Sequence, residues 1–72
     1  EAEDVTGYQE LVALFARLPE SYRAVLEMKI LLGYSDKEIA ERLGISRAAV
    51  STRATRGRAL LRSIAEKEGF HA

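Results

Sequence analysis

Apolar residues along this chain recur at helical spacing in four stretches, and none of the stretches alternates apolar with polar as a half-buried strand would. In the first, Tyr8, Leu11, Val12 and Phe15 stand at i, i+3, i+4 and i+7, and Thr6-Gly7-Tyr8-Gln9 has the form of a capping box. A helix is therefore predicted from about residue 7 to 17. Pro19 suits the first turn of a second helix, which runs through Tyr22, Val25, Leu26, Met28, Lys29, Ile30 and Leu32 to a stop at Gly33. That helix is apolar on most sides, so it is expected at the centre with neighbours on several faces. The third spans about 36 to 43: Ser35 and Glu38 make its capping box, Ile39, Ala40 and Leu43 its apolar stripe, and Gly44 the left-handed residue that ends it. Ser46 caps the fourth, from about 47 to 67, with Gly69 as its stop. Tyr34 with Ile39, and Ile45 with Val50, hold the N′ and N4 positions of two hydrophobic staples. The fold class expected is all-α, a compact four-helix domain with a C-terminal helix-turn-helix at about 35–67, in a single domain over 1–72.

The fourth helix carries the most chemistry. At about 100° per residue, Val50, Ala54, Gly57, Leu61 and Ile64 fall on one narrow stripe that must pack on the other helices. Glycine within a helix costs roughly 1 kcal/mol against alanine, so Gly57 points to close approach by another backbone. Ala48, Ser51, Thr52, Thr55, Ala59 and Arg62 lie opposite, with Arg56 on the shoulder and Arg47 and Arg53 nearer the core boundary. Short polar side chains flanked by arginines suit a DNA major groove. Serine and threonine can bond base edges or phosphates without filling it, and arginine can reach guanine or the backbone.

Net charge is zero, which by itself argues against a nucleic-acid partner, but the charge is unevenly placed. Residues 1–20 carry −4, residues 21–45 are neutral and residues 46–72 carry +4. The basic end is a footprint for phosphate, and the acidic end should face away from it. With no cysteine there is no disulfide, thiolate metal site or cysteine nucleophile, in keeping with a reducing compartment, and the cytoplasm is the expected location. No apolar run approaches the ~20 residues that cross a bilayer, so no membrane segment is expected. The chain begins at Glu1 and its one methionine is the internal Met28, from which we expect a piece excised from a longer protein.

Three segments together carry a family resemblance: L-P-E-S-Y-R-A-V from Leu18, G-Y-S-D-K-E-I-A-E-R-L-G-I-S from Gly33 and A-V-S-T-R-A-T-R-G-R-A-L-L from Ala49. They resemble region 4 of bacterial RNA polymerase sigma factors, especially the extracytoplasmic-function group, over about residues 8 to 65. E-I-A-x-x-L-G-I-S occurs in many helix-turn-helix proteins, whereas L-P-x-x-x-R-x-V before it and R-x-x-R-G-R after it are more specific. The resemblance implies that the second helix of the motif reads the upstream, minus-35, element of promoter DNA. It also implies that the domain docks on the flap of the polymerase beta subunit and that an anti-sigma factor can cover it. By position, Ser51, Thr52, Thr55 and Arg56 match residues at base edges or the nearby backbone. Arg53 and Arg58 match arginines used for phosphate contact or packing, and Ser35, Lys37 and Ser46 match backbone-contacting positions at helix N-termini, where free N–H groups favour phosphate. Arg47 completes the expected DNA-binding set. Ala49 departs from the threonine common in the family, which removes a hydroxyl near the backbone, and Thr55 is shorter than the residue in some relatives.

Other readings weigh against these. Arg62 with Glu66, Glu38 with Arg42 and Lys37 with Glu41 have the spacing of exposed intrahelical pairs worth a few tenths of a kcal/mol. Arg53 can equally lay its stem along the core edge. His71 is the only histidine and stands next to the C-terminus, and no glycine-rich phosphate loop or metal-ligand cluster is present. Neither an enzyme nor a cofactor or metal is expected. Two alternatives remain: a DNA-binding effector domain of the quorum-sensing or response-regulator type, which typically dimerises, and a polymerase or anti-sigma docking module with little DNA binding of its own. The isolated domain is expected to be a monomer.

Overall fold

The computed structural model describes the backbone of residues 2–67 and the side chains of residues 7–67. Its helices follow as α1 (Ala2–Phe15), α2 (Glu20–Leu26, continued by a π-helical turn over Glu27–Leu31), α3 (Asp36–Leu43) and α4 (Arg47–Lys67). No strand occurs among the described residues, as the absence of alternation predicts. Gly69, expected to stop α4, and His71 lie outside the described residues.

Local chemistry sets the ends of α3 and α4. The Glu38 N–H donates to Ser35 Oγ at 3.1 Å while the Ser35 N–H donates to Glu38 Oε1 at 2.9 Å, so both halves of the capping box are closed. Hydrogen bonding to the charged carboxylate holds the Glu38 pKa below the ordinary value: the bond from the Ser35 backbone N–H does most and desolvation opposes it, with the Ser35 hydroxyl and the attraction of Arg42 adding to the lowering. At the far end Gly44 takes φ 68°, and the Ile45 N–H reaches back to the Ala40 carbonyl at 3.1 Å, the six-residue closure of a Schellman turn. Two residues on, Ser46 Oγ accepts from the Ala49 N–H at 3.0 Å and starts α4.

The N-terminal half departs from expectation. Helix α1 is already formed at Ala2, so Thr6-Gly7-Tyr8-Gln9 lies within it rather than at its start; the Thr6 side chain lies outside the described ones. The helix ends at Phe15, and Arg17 and Leu18 donate to carbonyls three residues back in a tightened turn before Pro19. The stripe that packs is Leu11, Leu14 and Phe15, while Tyr8 and Val12 are exposed. Pro19 caps α2 from just outside it, its carbonyl accepting from Tyr22 and Arg23 at 3.1 and 2.9 Å. The end of α2 widens: the Leu32 N–H bonds the Glu27 carbonyl at 3.1 Å and the Tyr34 N–H the Met28 carbonyl at 2.9 Å, across Gly33 at φ 74°. Gly33 therefore stops the helix as predicted, but the π-helical turn before it has no signal in the periodicity.

Phe15, Val25, Leu26, Ile39 and Val50 are fully buried, with Leu18, Ala40 and Ala54 beside them in one core drawn from all four helices. Leu43, Ile45 and Tyr34 are half-buried against it, so both staples close on the same core. Helix α2 is central through Val25 and Leu26, yet it leaves Ile30 and, after it, Leu32 exposed at 44% and 60%. The expected central position therefore holds for Val25 and Leu26, while the end of the segment carries an open apolar side. Gly57 is buried where α4 crosses α2: a Cβ there would stand 3.0 Å from Leu26 Cδ1 and 3.2 Å from Tyr22 Cβ. The close approach of another helix inferred from a glycine within a helix is thus present, but the nearest atoms belong to the Leu26 and Tyr22 side chains rather than to the backbone.

Candidate nucleic-acid interface

Burial along α4 separates a packing side from an open side. Val50, Ala54 and Gly57 are buried and Leu61 and Ile64 half-buried. Opposite them Ala48, Ser51, Thr52, Thr55 and Ala59 are exposed. At about 100° per residue this small stripe is flanked by Arg47 and Arg58 on one shoulder and by Arg56 and Arg53 on the other. Arg56 and Arg58 are exposed; Arg53 is half-buried, consistent with a stem along the core edge. Arg47, expected nearer the core boundary, is exposed as the first residue of α4.

Ser35 and Lys37 at the start of α3, and Ser46 at the start of α4, are exposed. Each serine hydroxyl oxygen accepts a backbone N–H as a cap; the Ser35 hydroxyl also bonds the Glu38 carboxylate. Arg58 stands somewhat apart. About 16 Å along the axis from Arg47, it lines a groove between α1 and the second half of α4 together with Leu11, Leu14, Ile30, Leu61 and Arg62.

The expected intrahelical pairs do not close. Among the described residues Arg62 and Glu66, and Lys37 and Glu41, form no ion pair, and Arg42 lies over the Tyr34 ring, 4.2 Å from its centroid, instead of reaching Glu38. Stacking over the face of an aromatic ring attracts the guanidinium to the ring and covers half-buried Tyr34. A pair that the periodicity does not suggest does form: Lys29 Nζ donates to Asp36 Oδ1 across the α2–α3 link. The two are seven residues apart and only the Gly33 turn brings them together.

The family profile "Sigma-70, region 4" matches residues 8–61, most of the chain, including α3 and α4 as far as Leu61. The chain belongs to the sigma-70 region 4 family. The RNA polymerase sigma factor SigZ of Bacillus subtilis (strain 168) is 46% identical over 50 residues, covering 69% of this chain and 28% of SigZ. The chain thus spans little more than a quarter of that relative's length. No solved structure matches it. Membership of the region 4 family removes the quorum-sensing or response-regulator effector domain as the preferred alternative. No helix among the described residues is long and apolar enough to cross a membrane.

Proposed function

We propose that this sigma region 4 domain binds the upstream, minus-35, element of promoter DNA and so directs transcription initiation by RNA polymerase. One observation carries the reading: α4 packs by one face and presents on the other a stripe of Ser51, Thr52 and Thr55 between exposed arginines. Side chains this short let the helix lie deep in a major groove, with arginines in reach of guanine edges or phosphates on both sides. In this reading Ser51, Thr52, Thr55 and Arg56 meet base edges. Arg47, Arg53 and Arg58, with Ser35, Lys37 and Ser46 at the two helix starts, meet the backbone. The domain acts by binding and not as an enzyme, needs no cofactor, and works in the cytoplasm as the tethered part of a longer chain.

The test is a titration of the isolated domain against a small duplex library at two salt concentrations. Zero net charge and a single reading helix imply weak binding that falls steeply with salt. Four or five phosphate contacts give a slope of log affinity against log salt of about −4. A nanomolar, salt-insensitive complex, or no preference among duplexes, would overturn the reading. Tethering to polymerase supplies the missing affinity through effective concentration.

Docking on polymerase is the second half of the proposal, supported by the groove whose apolar lining is Leu11, Leu14, Ile30 and Leu61, with Glu10, Arg58, Arg62 and Glu66 also along it. We assign this apolar face to the beta-subunit flap, with an anti-sigma factor as a competitor for it. The isolated domain is a monomer in this reading, and sedimentation checks that. Titration with a flap fragment, alongside promoter duplex, separates a domain that does both from one that only docks.

A further inference from the structure

An acid in the first turn of a helix, such as Asp36, is favoured by the helix dipole, but here it shares that turn with residues read as phosphate contacts. It is the first residue of α3, between Ser35 and Lys37, through which that helix end is read as meeting phosphate. An unpaired carboxylate there would repel the DNA backbone. It has a partner from another element: Lys29, in the π-helical turn, donates from Nζ to Asp36 Oδ1. The side chains are 30% and 35% exposed, so water and salt screen the pair less than a fully exposed one. The other restraints on this link converge on the same point. Gly33 turns at φ 74°, the Tyr34 N–H is tied to the Met28 carbonyl, and the Tyr34 ring is covered by Arg42 of α3.

We propose that Lys29 and Asp36 are positioning residues for DNA binding. Their ion pair neutralises the acid at the phosphate-facing end of α3 and holds that end, with Ser35 and Lys37, in place against α2 and so relative to α4. This rests on the DNA-reading function proposed above. The pairing gives Asp36→Asn a sign that charge counting does not. On charge alone, losing a carboxylate beside phosphate and freeing a lysine tightens binding; if the pair positions α3, binding loosens.

The experiment titrates the whole chain and its variants with the tightest duplex drawn from a library and with a scrambled one, at two salt concentrations. Thermal unfolding is followed in parallel, and binding is measured well below every midpoint. Asp36→Asn and Lys29→Gln should each weaken binding to both duplexes roughly two- to five-fold, the range of a partly screened ion pair. The double variant should be no weaker than either single one, because the interaction can be lost only once. Lys29→Arg should bind like the wild type, and the salt slope should not change. Unchanged or tighter binding by Asp36→Asn overturns the proposal. So does a Lys29→Gln slope shallower by about 1, since Lys29 would then itself touch phosphate. A wild type that binds no duplex overturns the DNA-reading function and the positioning role together, whereas tighter Asp36→Asn binding on a wild type that binds overturns only the latter.

Discussion

The two halves of this domain are built by different means. In α3 and α4 each helix start is closed by a serine cap, α3 ends on a left-handed glycine, and the side chains that pack are the ones the periodicity selects. In the N-terminal half α2 starts without a side-chain cap, the packing stripe of α1 is shifted, and large apolar side chains of this half remain in water. On the proposed function, the difference follows use. A helix pair that must present side chains to a rigid duplex gains from ends fixed by its own hydrogen bonds. A surface that receives another protein must keep apolar area open, which in an isolated domain looks like incomplete burial.

The largest contrast should appear in stability. Ile39→Ala removes a fully buried side chain and should cost about 2 to 5 kcal/mol, while Leu32→Ala, at 60% exposure, should stay within about 0.5 kcal/mol. Chemical denaturation of both variants checks the pair. Equal losses would mean that Leu32 is covered in solution. Val50→Ala, where the second staple meets the core, should fall between them at about 1 to 3 kcal/mol.

On the DNA side, Arg56→Ala should cost about 1 to 3 kcal/mol at the preferred site and flatten discrimination at one base pair if the guanidinium pairs with guanine. Equal weakening for every duplex would instead make Arg56 a backbone contact and leave reading to Ser51 and the threonines. Arg58→Ala, if it touches phosphate, should weaken all duplexes alike and make the salt slope shallower by about 1. A normal slope together with weaker flap binding would assign Arg58 to the groove it lines.

The cap of α3 offers a smaller and more local test. Ser35→Ala removes the hydroxyl that accepts from the Glu38 N–H and should cost about 1 kcal/mol. The pH dependence follows from the depressed pKa of Glu38. The contribution of its carboxylate is fully present above the ordinary glutamate range and is lost as pH falls through the lower folded value, so acid weakens the cap. Glu38→Gln should flatten that part of the acid limb in a stability profile against pH, and an unchanged limb would show that the capping carboxylate contributes nothing.

How much was legible in advance varies along the chain for a physical reason. The bounds of α3 and the start of α4 could be read because the serine caps, the staples and the Gly44 turn join residues no more than five apart, so their chemistry is complete within the local sequence. Gly57 could be read because a glycine within a helix is costly unless something passes close by. Helix α1 was misjudged because Tyr8, Leu11, Val12 and Phe15 fit a helical stripe as well as the Leu11, Leu14 and Phe15 that pack. A periodicity gives the angle between apolar residues but not which neighbour lies under them. The Arg62–Glu66 and Lys37–Glu41 spacings illustrate the same limit, since exposed pairs gain too little to fix two long side chains.

The sequence by itself determined the all-α class, the helix-turn-helix frame, the buried stripe of α4 and the short polar face opposite it, because each depends on contacts within a few residues or on one helix period. Only the tertiary structure decided the rest: that Ile30 and Leu32 face water, that Arg58 belongs to the wall of a groove, and that Lys29 meets Asp36 across a π-helical turn. Those features depend on where separate helices come to rest against one another, and that placement is set by the packing of Phe15, Leu26, Ile39 and Val50 together rather than by any one segment.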